Sequence, residues 1–299
     1  MSGPRLPAAS SPRAESLFMI IDVHGHPACI ATANRTFDPA LPSIVLVHGA
    51  LNDHSVWAPL LPRLADAGHN VLAVDLPGHG DSAGPALGTV EAMADWLLAL
   101  LDSAGVGQAL LAGHSMGSLV ALEAARRAPL RVRALALLGS VWPMPVADAL
   151  LAGAVADEAA AIAMVAKWSH ARPDPDDAQG AERSARLQEA SRALMARVAR
   201  NGSPGLMYTD FSACNAYAGG AAAAAALACP VLFVLGERDV MTPARSARAL
   251  AAGLLQGQVQ GQVKVIAVDA GHAMMAEQPA AVAAALADFA RAQNSTTLV

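Results

Sequence analysis

Lysine is almost missing from this chain: Lys167 and Lys264 are the only two among 299 residues. No block of basic side chains occurs either, which argues against a nucleic-acid-binding surface. Charged residues of both signs make up only 15% of the sequence, and the net charge of -5 is spread along it. Cysteine is equally scarce. Cys29, Cys214 and Cys229 form an odd, scattered set without metal-ligand spacing, which argues against a disulfide framework and fits a reducing, cytoplasmic setting. Long hydrophobic runs are lacking too. Leu97 to Leu101 and the alanine-rich Ala221 to Cys229 are the longest candidates, well short of the ~20 residues of a membrane span. Leu17-Phe18-Met19-Ile20-Ile21 is too short for the core of a signal peptide and stops at Asp22. Residues 1–16, rich in Pro, Ser and Ala, read as a disordered tail.

What the chain does have is apolar content, 54% of its residues, enough for one large core. Two strands over 17–33 turn at Gly25-His26-Pro27. Apolar runs then alternate with helix formers: Ser43 to Val47, a helix near Trp57 to Ala67, Val71 to Val74, a helix capped by Thr89, Ala109 to Ala112, a further helix, and Ala134 to Leu138. Such alternation predicts a mostly parallel sheet with helices on both faces. From about 141 to 220 it stops. Val146 to Lys167 and Glu182 to Arg200 read as helices with no strand after them, an all-helical insertion placed over the carboxyl edge of the sheet. The alternation resumes with Val231 to Leu235, a helix from Pro243, the strand Val263 to Val268, and a last helix from Pro279. The expected division is therefore a core of 17–140 and 221–299 and a helical cap of 141–220.

The most informative stretch is Gly113-His114-Ser115-Met116-Gly117, set between the run Ala109 to Ala112 and a good helix former. G-x-S-x-G between a buried strand and a helix describes a nucleophile elbow, a turn tight enough to demand small residues two positions either side of the serine. A serine hydroxyl is a weak nucleophile near pH 7 and needs a base within reach. Of nine histidines, His272 in Asp269-Ala270-Gly271-His272 is best placed, just after the last strand at the same sheet edge. The histidine in turn needs an acid to fix its tautomer. Asp239 in Gly236-Glu237-Arg238-Asp239 fits, since the motif expects the order Ser, acid, His; Asp269 and Glu237 are its rivals. An oxyanion hole needs two backbone N–H groups, each worth roughly 3 kcal/mol. One is expected from Met116 at the start of the elbow helix, the other from Ala50 after His48-Gly49, with Leu51 as second choice. His48, His79 and His114 are read as structural.

These pieces resemble the α/β-hydrolase superfamily, in the branch with a helical cap. The matching segments are His48-Gly49-Ala50, Asp75-Leu76-Pro77-Gly78-His79-Gly80-Asp81-Ser82, Gly113 to Gly117, Gly236-Glu237-Arg238-Asp239 and Gly271-His272, in the family's order. The resemblance implies an α/β-hydrolase fold with an eight-stranded, mostly parallel sheet, a Ser115–Asp239–His272 triad and no cofactor or metal. Dehalogenases of this branch carry Asp at the elbow, so Ser115 argues against that chemistry, and the three-glycine loop of lipases is absent. The expected activity is hydrolysis of small to medium, largely apolar carboxylic esters, with a small ester and water as partners and neither nucleic acid nor membrane. Leu51, Trp142, Met164, Trp168 and Met207 are candidate substrate contacts, with Met144, Tyr208 and Phe211 beside them. Met164 and Trp168, four apart on one helical face, read first as a seam gluing cap to core and second as a pocket wall. The alternatives are hydrolysis of a carbon–carbon bond in a diketone-like acid, with Arg172, Arg183 or Arg245 holding the carboxylate, and an inert binding protein on the same fold.

Overall fold

Alternation of side chains decides how the central strands are covered. In β3 (Ser43–Val47), β4 (Asn70–Val74), β5 (Ala109–His114) and β7 (Val231–Gly236) every residue is buried, as strands sheltered on both faces require. Ile44, Leu46, Leu110 and Ala112 pack on one face against α1 (Leu61–Asp66) and α11 (Pro279–Asn294). Val45, Val47 and Leu111 pack on the other against α2 (Val90–Ser103), α3 (Met116–Arg127) and α9 (Ala244–Leu254). The computed structural model describes residues 18–255 and 262–294; the tail expected over 1–16 lies outside the described residues.

With β1 (Phe18–Val23), β2 (His26–Ala31), β6 (Val132–Leu138) and β8 (Val263–Val268), the strands form one eight-stranded sheet in the order β1-β2-β4-β3-β5-β6-β7-β8. Only β2 pairs antiparallel, with β1 and β4; the rest of the sheet is parallel. From β3 the chain crosses to β4 on one side and then returns to β5 on the other. That makes the β3/β5 boundary a topological switch point, where loops diverge and leave a crevice beyond the carboxyl ends. Val47 pairs with Gly113 there, so the turn after β3 and the turn after β5 are neighbours.

Five helices lie between β6 and β7: α4 (Asp148–Ala156), α5 (Glu158–Trp168), α6 (Ala178–Asn201), α7 (Leu206–Ala216) and α8 (Gly220–Ala225). The single helix expected over 146–167 is divided at Asp157, whose non-helical backbone lets its carboxylate accept the N–H of Ala160 at 3.1 Å and cap α5. Asp177 caps α6 in the same way, accepting from Gly180 at 2.8 Å, and so starts that helix four residues before the expected Glu182. The alanine tract, without any polar periodicity, forms α8. This insertion has its own core, in which Ile162, Val165, Met195, Leu206 and Met207 surround Leu51 from the turn after β3.

Candidate active site

Ser115 joins β5 directly to α3 with φ 53 and ψ -119, a backbone conformation that costs a non-glycine residue on the order of 1–3 kcal/mol. The turn is held by hydrogen bonds from Ser115 N–H to the Leu138 carbonyl at 3.0 Å and from Ser118 Oγ to the Ser115 carbonyl at 2.5 Å. The flanking glycines are steric necessities. A Cβ on Gly113 would stand 2.1 Å from the Gly117 oxygen, and one on Gly117 would stand 2.3 Å from the Val47 oxygen. Ser115 itself is half-buried, facing a cavity.

His272 follows β8 and Asp239 follows β7, strands that pair through Gly236 and Val268. The two side chains meet: His272 Nδ1 donates to Asp239 Oδ2 at 2.8 Å. Asp239 is buried and accepts three further bonds, from Met241 N–H at 2.8 Å, Thr242 N–H at 2.9 Å and Thr242 Oγ1 at 2.6 Å. Four donors around one carboxylate fix it as the anion. Burial alone would push its pKa up, but the charge of His272 and the bonds from His272 and Thr242 bring it down to about 2. The loop carrying His272 folds back over the elbow, where His114 Nε2 donates to the His272 carbonyl at 2.9 Å and the two rings stand 4.7 Å apart. Burial, and then the proximity of His272, lower the pKa of His114 to about 3 and keep it neutral.

The rival acids are occupied elsewhere. Asp269 is exposed and pairs with Arg238 at 2.7 Å; Glu237 is exposed and faces Arg248 at 3.6 Å. The turn after β3 approaches the elbow closely, since a Cβ on Gly49 would lie 3.2 Å from Ser115 Cβ. Met116 opens α3, so its N–H lacks an intrahelical acceptor, and among the described residues neither it nor the N–H of Ala50 donates to another group. Leu51 is different: its N–H donates to Asp210 Oδ2 at 2.7 Å, which removes it as an alternative oxyanion donor.

Two chambers meet at Ser115 and His272, of about 480 Å³ and 360 Å³. Ala50, Phe211 and Met241 border both. The larger runs past Asn52, Ser191, Leu194, Arg197 and Met275. The smaller is walled by Met144, Leu150, Trp168, Val240 and Cys214, with Arg172 on its lining. Of the five expected substrate contacts, only Trp168 lines a chamber. Leu51 and Met207 are fully buried in the core of the insertion. Trp142 is buried against the main core, with its ring 6.1 Å from that of Phe233. Met164 is exposed on α5, so the Met164–Trp168 face is not a seam between insertion and core.

Cys29, His54 and Asp75 place three potential metal ligands within 4.8 Å of one another. Two of them, His54 and Asp75, are already paired with each other. Asp75 accepts from the N–H and Nδ1 of His54 and from Asp81 N–H, and burial pushes the Cys29 thiol up to about 12. His54, Asp75 and the Asp81 N–H form a hydrogen-bonded knot that orders the Asp75 loop.

Comparison with known proteins agrees with this architecture. The model of the alpha/beta hydrolase family matches residues 44–285, and the chain belongs to that family. A pimeloyl-[acyl-carrier protein] methyl ester esterase from Neisseria meningitidis is 28% identical over 85% of this chain and 96% of its own length. A dihydrolipoyllysine-residue acetyltransferase component of the acetoin cleaving system from Pseudomonas putida is 48% identical over 32% of this chain; the match spans about a quarter of that relative, 26% of its length. Among solved structures, the enol-lactonase from Burkholderia xenovorans LB400 superposes with a TM-score of 0.76 at 22% identity, over 91% of this chain and 100% of that one.

Proposed function

We propose that this hydrolase cleaves carboxylic esters of small to medium, largely apolar substrates through an acyl-enzyme on Ser115. His272 takes the proton of Ser115 as its oxygen attacks the ester carbonyl, Asp239 holds the imidazole and stabilises its charged form, and the N–H groups of Ala50 and Met116 receive the oxyanion. His272 then protonates the leaving alcohol, and a water activated by the same imidazole releases the acid. The observation that carries this reading is the commitment of His272 Nδ1–H to a four-fold bonded Asp239. That arrangement leaves Nε2 as the nitrogen free to act as base beside an elbow serine on the same cavity. The two chambers that meet at the serine suit an ester with an acyl and an alcohol part, and the helical insertion acts as a cap that contributes walls to both. We also place the protein in the cytosol: its free cysteines Cys29, Cys214 and Cys229 are all buried thiols raised in pKa by burial. No helix among the described residues is long and apolar enough to cross a membrane.

The test is a fluorophosphonate label mapped by mass spectrometry, with Ser115→Ala and a panel of chromogenic esters of rising acyl length. Labelling at Ser115, and a loss of several orders of magnitude in kcat with the thermal midpoint nearly unchanged, are expected. Unaltered turnover by Ser115→Ala would end the assignment, and absence of labelling in the native enzyme would favour an inert binding protein. One observation favours hydrolysis of a carbon–carbon bond as the second reading. Arg172 lines the smaller chamber without a carboxylate partner among the described residues, whereas Arg183 and Arg245 line neither chamber. Cleavage of a diketone acid in preference to esters, lost in Arg172→Met, would select it.

A further inference from the structure

Asp210 sits on α7 with none of its surface exposed. A buried carboxylate requires compensation, and this one finds it outside the insertion. Its Oδ2 accepts the N–H of Leu51 at 2.7 Å and Nε2–H of His79 at 2.8 Å, while Oδ1 is buried with no donor among the described residues. Nδ1 of His79 faces the Pro77 carbonyl at 3.1 Å. A carbonyl and a carboxylate are both acceptors, so both ring nitrogens of His79 carry protons. Burial works against that charge, but Asp210 outweighs it and raises the pKa of His79. The neighbouring His48, its ring 4.8 Å away, remains neutral: burial and the charge of His79 lower it to about 4. It donates from Nδ1 to the Gly49 carbonyl at 2.9 Å and accepts Leu76 N–H on Nε2 at 3.1 Å. Asp210 therefore ties α7 to two core loops at once, the turn after β3 and the loop after β4.

Leu51 makes this tie matter. Its φ of 53 lies in the left-handed region, which a leucine does not choose unaided. Its N–H belongs to the peptide unit that begins at Ala50, so a bond that fixes this N–H fixes the plane of the Ala50–Leu51 peptide. The Ala50 N–H is the next donor back along the chain. A second bridge, from Arg197 on α6 to Asp53 at 2.6 Å, holds the same loop two residues further on.

We propose that Asp210 is a positioning residue for the oxyanion hole: through its bond to Leu51 N–H, the helical insertion holds the turn after β3 so that the Ala50 N–H faces the substrate oxygen. The insertion is then part of the catalytic frame and not only its cover. This rests on the assignment of Ala50 as an oxyanion donor in the ester-hydrolase reading. Asp210→Ala, which removes the acceptor of the Leu51 N–H, tests it, with active sites counted by fluorophosphonate titration to completion. The expected result is a fall in kcat of about 10- to 100-fold, less than the loss of a whole donor, with KM changed less than threefold. Affinity for a trifluoromethyl ketone, which forms a tetrahedral adduct on the serine, should fall by the same factor. A variant with a lowered thermal midpoint but unchanged kcat per titrated site and unchanged ketone affinity would reduce Asp210 to a stabilising residue and overturn the proposal. Should Asp210→Ala fail to fold, an amide-to-ester replacement at Leu51, made with the hydroxy-acid analogue of leucine, removes only the donor and must show the same loss of ketone affinity. Retained turnover in Ser115→Ala is a separate outcome, which would overturn the ester-hydrolase reading itself.

Discussion

Replacing Asp239 by Asn changes one atom's chemistry and nothing of its size, and the four bonds to this side chain determine the cost. The amide oxygen accepts two donors where the carboxylate accepted four, and the amide nitrogen adds donors of its own. If the oxygen stays with the N–H groups of Met241 and Thr242, bound at 2.8 and 2.9 Å in the native protein, the NH2 group faces Thr242 Oγ1 and His272 Nδ1. The hydroxyl rotates and accepts; the imidazole adapts only by moving its proton to Nε2. That tautomer offers no lone pair to Ser115. A loss of roughly 10⁴-fold in kcat is expected, about 5.5 kcal/mol of transition-state stabilisation. The same substitution removes the stabilisation linked to the depressed pKa, from 3.8 to about 2, about 2 kcal/mol for a group this buried. Steady-state hydrolysis of a chromogenic ester, paired with a urea titration, measures both. A kcat within tenfold of the native value, or a larger loss in Asp269→Asn, would refute the reasoning. Asp269, exposed and paired only with Arg238, should change either quantity by no more than about 0.5 kcal/mol.

The pH dependence of that stability difference has a definite sign. Because the folded pKa of Asp239 is lowered, the advantage of the native protein over Asp239→Asn should be complete above about pH 4 and disappear as pH falls through about 2; an advantage that persists at lower pH would exclude the linkage. Gly117→Ala forces a Cβ to within 2.3 Å of the Val47 oxygen and 2.4 Å of the His48 oxygen. Neither is a side chain that can swing aside, so the thermal midpoint should fall by about 10 °C or more, and an unchanged midpoint would show the elbow looser than described. Trp168→Ala should raise KM for longer acyl or alcohol groups several-fold with the midpoint within about 2 °C, since the indole is 40% exposed on the lining of the smaller chamber; equal KM values across the panel would remove Trp168 from the substrate path.

How far the sequence leads depends on the range over which each feature is determined. The elbow is legible because its requirement is local: two glycines and a serine within five residues, between a strand and a helix that each announce themselves. The strand-end positions of Asp239 and His272 are legible for a related reason, because each follows an apolar run by a few residues and parallel strands deliver such loops to one edge. Thr242 was also within reach. It stands three residues after Asp239, the spacing at which an aspartate accepts a backbone N–H and a hydroxyl can return to the carboxylate. Asp210 offers no such signal. Its partner Leu51 lies 159 residues away, and Thr209 and Phe211 mark nothing unusual around it.

The substrate contacts show the limit most clearly. Apolar periodicity tells which side of a helix is covered, not by what. Met207 and Phe211 are four apart on α7 and share a face, yet Met207 is fully buried in the core of the insertion while Phe211 borders both chambers. The cause is geometric: helix α7 crosses the edge of the cavity, so one turn of the same stripe lies over packed side chains and the next over empty space. Leu51 and Trp142 follow the same rule, each filling a core at a position next to the cavity wall. An apolar side chain near a candidate site is therefore selected as a contact by where the void ends, which is set by helices that pack from elsewhere in the chain. The same cause makes the smaller chamber the part of the site most open to change: Met144, Leu150 and Trp168 come from the insertion, and none of them bonds to Ser115, Asp239 or His272, so substitutions there should shift substrate preference without disturbing the machinery at the strand ends.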